Sequence, residues 1–184
     1  MNKNLLIVGA GQYGCVAKEI AESMNCFEKI DFLEDCCEAA VGSLNEYEKL
    51  SVKYAYALPT FKNSEERLKW MQALQGCGYR VPVLVSPKAY ISPLAQVMAG
   101  AIIEPFAVLN CKVLIGRNCF IGANATVDCG TVVGEGSTIC CGTTVIGNTL
   151  VLPKTTVEYG QICYGEALSK KKPQGGTYNF DDVM

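Results

Sequence analysis

The chain has 184 residues, 49% of them apolar, a formal net charge of -2 and no histidine. The apolar share is ample for a packed core, and the faint acidic balance excludes a general nucleic-acid or anionic-membrane binder, which needs a basic excess. No apolar run reaches the length of a membrane span, and the N-terminus lacks the basic start, apolar core and small-residue cleavage site of a secretory signal, so a soluble, cytoplasmic protein is expected. Eleven cysteines would suggest a disulfide framework in a small secreted chain. Here Cys111, Cys119, Cys129, Cys140 and Cys141 fall inside a repeat and no export signal is present, so they read as reduced thiols serving as small apolar residues.

Asn4 to Val8 forms an apolar strand that runs into Gly9, Ala10, Gly11, Gln12, Tyr13 and Gly14, followed by Val16, Ala17, Ile20, Ala21 and Met24 on one helical face. A strand, a GxGxxG turn and a helix open a Rossmann-type unit: the first two glycines let the backbone turn close to a diphosphate, and the helix N-terminus offers N–H groups and positive dipole. Lys29 to Leu33 reads as a second strand ending in Glu34 and Asp35, where a dinucleotide enzyme places an acidic residue on ribose hydroxyls. Carboxylates at a strand end are also often merely solvated. A short helical pattern with Leu44, Tyr47 and Leu50 follows, then a third strand from Lys53 to Leu58, broken by Pro59. Ser64 suits the N-cap of a helix carrying Leu68, Met71 and Leu74 that stops at Gly76, and Val81 to Val85 reads as a fourth strand. Four parallel strands are too few for a full NAD fold, and fit a nucleotide-like diphosphate better.

From Val85 to Ile162 the chain repeats every six residues. Val85, Ile91, Val97, Ile103, Leu109, Ile115, Ile121, Val127, Val133, Ile139, Val145, Val151 and Val157 are all aliphatic. Four residues after each comes Ala89, Ala95, Ala101, Ala107, Val113, Cys119, Ala125, Thr131, Ser137, Thr143, Thr149 or Thr155, with only Gln161 departing from a small side chain. If about a third of residues are aliphatic, thirteen in register is an event of about one in a million. Six-residue self-similarity is the mark of a parallel β-helix, three hexapeptides making one triangular coil of about eighteen residues. The aliphatic side chain points inward, and the small residue is expected where the corner is tight; a six-residue period keeps no helical face apolar.

The reading is therefore α/β plus all-β: a small Rossmann-like domain over residues 1–83, a parallel β-helix over 84–164, left-handed as the family resemblance given next implies, and a polar tail over 165–184. Lys170, Lys171 and Lys172 in that tail either are simply solvated or contact phosphates of a donor.

The glycine turn, the run Phe32, Leu33, Glu34, Asp35, the step Val85, Ser86, Pro87, Lys88, Ala89, Ile91, Ser92, Pro93, and the coil residues Ile121, Gly122, Ala123, Asn124, Val133 and Gly134 resemble the bacterial sugar acyltransferases of the sialic-acid O-acetyltransferase and bacillosamine N-acetyltransferase group. The resemblance covers nearly the whole chain. It implies a homotrimer with acetyl-CoA in the groove between adjacent β-helices, no metal, and a UDP-amino sugar or sugar acid held partly by Gly9, Gly11, Gly14, Glu34 and Asp35. It also implies a histidine base on a coil corner, preceded by an acidic residue. Laid on the repeat, the acid is Asp128 and the histidine position holds Cys129; further family histidines fall on Thr138, Gln12 and Ser86.

A histidine accepts protons near neutral pH, whereas an unperturbed thiol is mostly protonated there and is a poor base. Cys129 then admits three readings: a packing residue in a decayed site, a nucleophile that carries the acyl group, or a bystander while Asp128 or a water acts as base. Gly147, one coil above on the same corner, is the oxyanion donor that the resemblance implies. Cys111, one coil below, stacks under Cys129; a stacked thiol pair invites a metal or disulfide, and packing coincidence is the simpler account. The expected function is acyl-CoA-dependent acylation, most simply acetylation, of a nucleotide-linked amino sugar for surface-glycan synthesis. The alternative is an inert homologue that binds a nucleotide sugar as sensor or scaffold. A dinucleotide-dependent oxidoreductase would need a larger front domain.

Overall fold

The computed structural model describes residues 2–167; the three lysines of the tail lie outside them. At the front, β1 (Leu5–Val8) is the middle of a three-stranded parallel sheet, between β2 (Ile30–Leu33) and β3 (Tyr56–Pro59). All four β1 side chains are buried because the sheet is covered on both faces. Leu5 and Ile7 meet Ala17, Ile20 and Ala21 of α1 (Gln12–Ser23), while Leu6 and Val8 meet Leu74 of α3 (Ser64–Gly76). A 3-10 turn (Leu44–Glu46) and the short α2 (Tyr47–Leu50) lie on that second side.

Two local details differ from the sequence expectation. No fourth strand joins this sheet among the described residues: Arg80 makes a single bridge to Tyr56, and Leu84–Val85 pairs instead with Ile102–Ile103 in the coil. Pro82 and the start of the hexapeptide register at Val85 leave too little chain to do both. The N-cap of α3 is Asn63, one residue before Ser64; its Oδ1 accepts the Glu66 N–H at 3.0 Å.

The remainder is a left-handed parallel β-helix whose short strands, from Leu84–Val85 to Glu166–Ala167, stack into three sheets of five. Pairing runs one coil at a time, as in Ile103, Ile121, Ile139 and Val157. Ile103 to Val145 of the aliphatic series are wholly buried along the axis; Val85, Ile91 and Val97 are partly buried against the same cluster. The last strand, Glu166–Ala167, turns back antiparallel on Thr149–Val151.

The corner is tight one residue earlier than the small side chain. Gly100, Gly130, Gly136 and Gly142, or Asn118, Asn124 and Asn148, take left-handed backbone with φ between 56° and 79°. The following residue, such as Ala101, Thr131 or Ser137, turns its side chain into the prism and is small because the axis is crowded.

The front unit is seated on one face of the prism. Leu84, Ile102 and Phe120 point outward there and join the core under α1, and the Tyr13 ring stacks on Phe120 at 4.2 Å. Arg67 of α3, 1% exposed, donates to the carbonyls of Asn118 (3.1 Å) and Gly136 (2.8 Å) in the coil and to those of Phe61 (2.8 Å) and Lys62 (3.2 Å) in the front unit. A guanidinium buried without a carboxylate is held by neutral acceptors alone, and burial lowers its pKa.

Candidate functional site

Asp128 and Cys129 follow the inward Val127 and stand on one corner of the coil. The eighteen-residue coil brings Asn110 and Cys111 directly below them and Gly147 above. Asn110 Nδ2 donates to Asp128 Oδ1 at 2.9 Å, and the Cys129 backbone N–H donates to the same oxygen at 2.7 Å. These two donors hold the Asp128 carboxyl below the usual carboxylate range, the Cys129 N–H contributing most. Oδ2 accepts no N–H from the described residues, and the Cys129 thiol also faces the carboxylate.

Gly147 gives this carboxylate its room. A Cβ there would stand 3.0 Å from Asp128 Oδ2 and 3.0 Å from the Cys129 carbonyl oxygen. Its own N–H donates to no described residue, whereas the next N–H, of Asn148, is spent on that carbonyl at 2.9 Å. An N–H without a partner among the described residues, a carboxylate oxygen and a thiol thus share one corner.

The thiol is not activated. The Cys111 and Cys129 sulfurs are in hydrogen-bond contact at 3.2 Å, and that neighbouring sulfur first, then partial burial, push the Cys129 thiol up. At neutral pH the corner therefore holds a carboxylate and a neutral thiol, both displaced away from the range in which a histidine works.

At the front, Gly9, Gly11, Gln12, Tyr13, Glu34, Thr60, Phe61 and Lys62 line a cleft of about 270 Å³. Gly14 lies beneath it: a Cβ there would be 2.1 Å from the Gly9 carbonyl oxygen, so α1 approaches β1 this closely only without a side chain. Gly9 has φ +105°, and Thr60 Oγ1 donates to its carbonyl at 2.8 Å. Gly11 caps α1 with no side-chain partner, leaving the helix N-terminus open to the cleft. Glu34 reaches over the turn, its Oε2 accepting the Ala10 N–H at 3.2 Å and its Oε1 the Asp35 N–H at 2.9 Å. Asp35 stands apart from the cleft lining, and its Oδ1 accepts the Leu44 N–H at 2.8 Å.

The positions of the other family histidines are dispersed. Gln12 lines the cleft, Thr138 is buried on the prism face that carries the front unit, and Ser86 is buried at the base of the coil, where its Oγ accepts the Lys88 N–H. Sequence reasoning passed over Asn110, although one coil subtracted from Asp128 finds it, and Lys62, whose only signal is its place just after β3. It also passed over Glu104, half-buried with its carboxyl pushed up by burial, which accepts the Ala123 N–H at 2.9 Å and lies 3.7 Å from the Cys141 sulfur on a second corner. No cluster of three or more metal-binding side chains occurs among the described residues.

The PglD N-terminal domain model matches residues 4–71, and the model for the hexapeptide repeat of succinyl-transferase matches residues 112–146. With both parts matched, the chain resembles the PglD-like sugar acetyltransferases of the hexapeptide-repeat family, the group to which the glycine turn and coil pointed. Its fold is shared with the acetyltransferase domain of PglB from Neisseria gonorrhoeae FA1090 in complex with acetyl coenzyme A, at 23% identity and a TM-score of 0.85, over 90% of this chain and 84% of that one. It is shared also with a histidine-to-asparagine mutant of perosamine N-acetyltransferase from Caulobacter crescentus in complex with CoA and GDP-perosamine, at 17% identity and a TM-score of 0.75, over 89% of each chain.

Proposed function

We propose that this protein transfers an acetyl group from acetyl-CoA to a nucleotide-linked amino sugar, as a cytoplasmic homotrimer serving surface-glycan synthesis, and does so without a histidine base. The observation that carries the reading is the corner where Asp128 Oδ2 and the unspent Gly147 N–H stand side by side. The N–H stabilises the oxyanion as the acceptor attacks the thioester carbonyl, and CoA leaves as the thiolate. Asp128 holds the proton of the attacking group through Oδ2; as a weak base it makes the step slow rather than impossible.

In this reading the front cleft takes the nucleotide part of the acceptor. The open N-terminus of α1 and Lys62 attract a diphosphate, and Glu34 suits ribose hydroxyls once it releases the Ala10 N–H. Asp35 supports the 43–46 turn rather than the ligand. Support comes from the relatives named above, one bound to acetyl coenzyme A and another to CoA and GDP-perosamine. The donor groove between adjacent coils belongs to the same proposal. The unit boundaries after residues 83 and 164 do as well.

The neutral thiol at Cys129 favours a second reading, a nucleotide-sugar binder that has lost catalysis. Calorimetry with acetyl-CoA separates the two. The enzyme reading expects saturable donor binding that Gly147→Val abolishes, because its side chain fills the space beside Asp128 Oδ2. A chain that binds nucleotide sugar but no acetyl-CoA is the sensor, and the enzyme reading then fails.

A further inference from the structure

Of the eleven cysteines, all free thiols, only Cys111 and Cys129 bring their sulfurs into contact among the described residues. They are eighteen residues apart, at the same place on successive coils, with sulfurs 3.2 Å apart. The backbone fixes this stacking: Gly130 N–H donates to the Cys111 carbonyl at 3.0 Å, and Asn110 N–H to the Val127 carbonyl at 3.0 Å. Neighbouring rungs lie about 4.8 Å apart, inside the Cα separation of roughly 4.4–6.8 Å that a disulfide spans. Both residues are partly open to solvent, unlike Cys119 and Cys140, which are buried.

We infer that Cys111 and Cys129 form a dithiol site for low-molecular-weight disulfides such as oxidised glutathione, closing reversibly to a disulfide across two coils of the β-helix. One thiol, as its thiolate, attacks the glutathione disulfide; a protein–glutathione bond forms, the glutathione S–S bond breaks, and one glutathione leaves. The second thiol then displaces the second glutathione. Two thiols are oxidised to one disulfide, one glutathione disulfide is reduced to two glutathiones, and the two thiol protons end on the departing glutathiones. Contact between the sulfurs makes the second step intramolecular, so the mixed disulfide does not accumulate. The raised pKa of Cys129 makes closure slow at neutral pH and faster as pH rises.

The linked form removes the Cys129 S–H from the candidate site. That consequence rests on the acetyltransferase reading; the dithiol chemistry does not.

The test is peptide mapping of the reduced full-length protein after incubation with oxidised glutathione and alkylation of the remaining thiols. The expected product is a peptide pair joined through Cys111 and Cys129, formed faster at pH 9 than at pH 7 and reopened by dithiothreitol. Cys111→Ser and Cys129→Ser should each carry glutathione on the surviving partner instead. Retained free thiols at both positions, two separate glutathione adducts in the wild type, or links through other cysteines in preference would overturn it. None of these readouts requires turnover. An inactive protein that forms the link therefore fails the acetyltransferase reading alone, and an active one that does not form it fails the dithiol alone.

Discussion

Asp128 is the residue on which the proposed chemistry turns, and its environment has a pH signature. Its folded pKa is depressed by the Cys129 N–H and Asn110, so the stabilisation is present above the unfolded value of about 3.9 and is lost as pH falls through the folded one. Wild type should therefore melt above Asp128→Asn at pH 7, with the gap closing below about pH 4; thermal melts across this range check it, and a gap independent of pH contradicts it. The neighbouring thiol moves the other way, up, so neither group at the corner titrates near neutrality. Cys129→His introduces one that does. The ratio of variant to wild-type acetylation rates, which cancels titration of the acceptor amine, should rise through about pH 6.5; a flat ratio across pH 5–9 would show that no base works at this position.

Elements here are placed by close approaches that leave no space for a methyl group. Gly14 is the sharpest case, since its Cβ would enter the Gly9 carbonyl at 2.1 Å. Gly14→Ala should push α1 off β1, cost about 2 kcal/mol and weaken nucleotide-sugar binding; chemical denaturation and calorimetry read both, and unchanged stability would mean the helix has slack that its packing does not suggest. These elements were largely legible in advance, because GxGxxG and a six-residue period are local patterns that backbone geometry enforces. What escaped the sequence was long-range. The Asp35 carboxylate looks like Glu34 in the string, yet only the fold turns one over the glycine turn and the other toward Leu44 N–H. Arg67 carries no sign of burial in the string, yet it is buried where three chain segments converge. The expected fourth strand failed because propensity cannot tell which of two sheets will take Leu84 and Val85.

At the scale of the molecule, the chain exposes Tyr90, Leu94, Phe106, Leu152 and Ile162, large apolar side chains along the coil. The homotrimer proposed above would cover a share of them. Light scattering should give three times the monomer mass, and substituting charge at Tyr90 and Ile162 should dissociate it; a wild-type monomer would remove the groove between coils and the donor site with it.

The most direct measurement is product mass spectrometry after incubating wild type and Cys129→His with acetyl-CoA and a panel of UDP- and GDP-linked amino sugars. The account predicts an acetylated sugar from wild type at a low rate, and from Cys129→His at a rate higher by about a hundredfold or more. Product from the variant alone would mark the natural chain as a catalyst without its base, and no product from either, with nucleotide sugar still bound, would contradict the acetyltransferase reading itself.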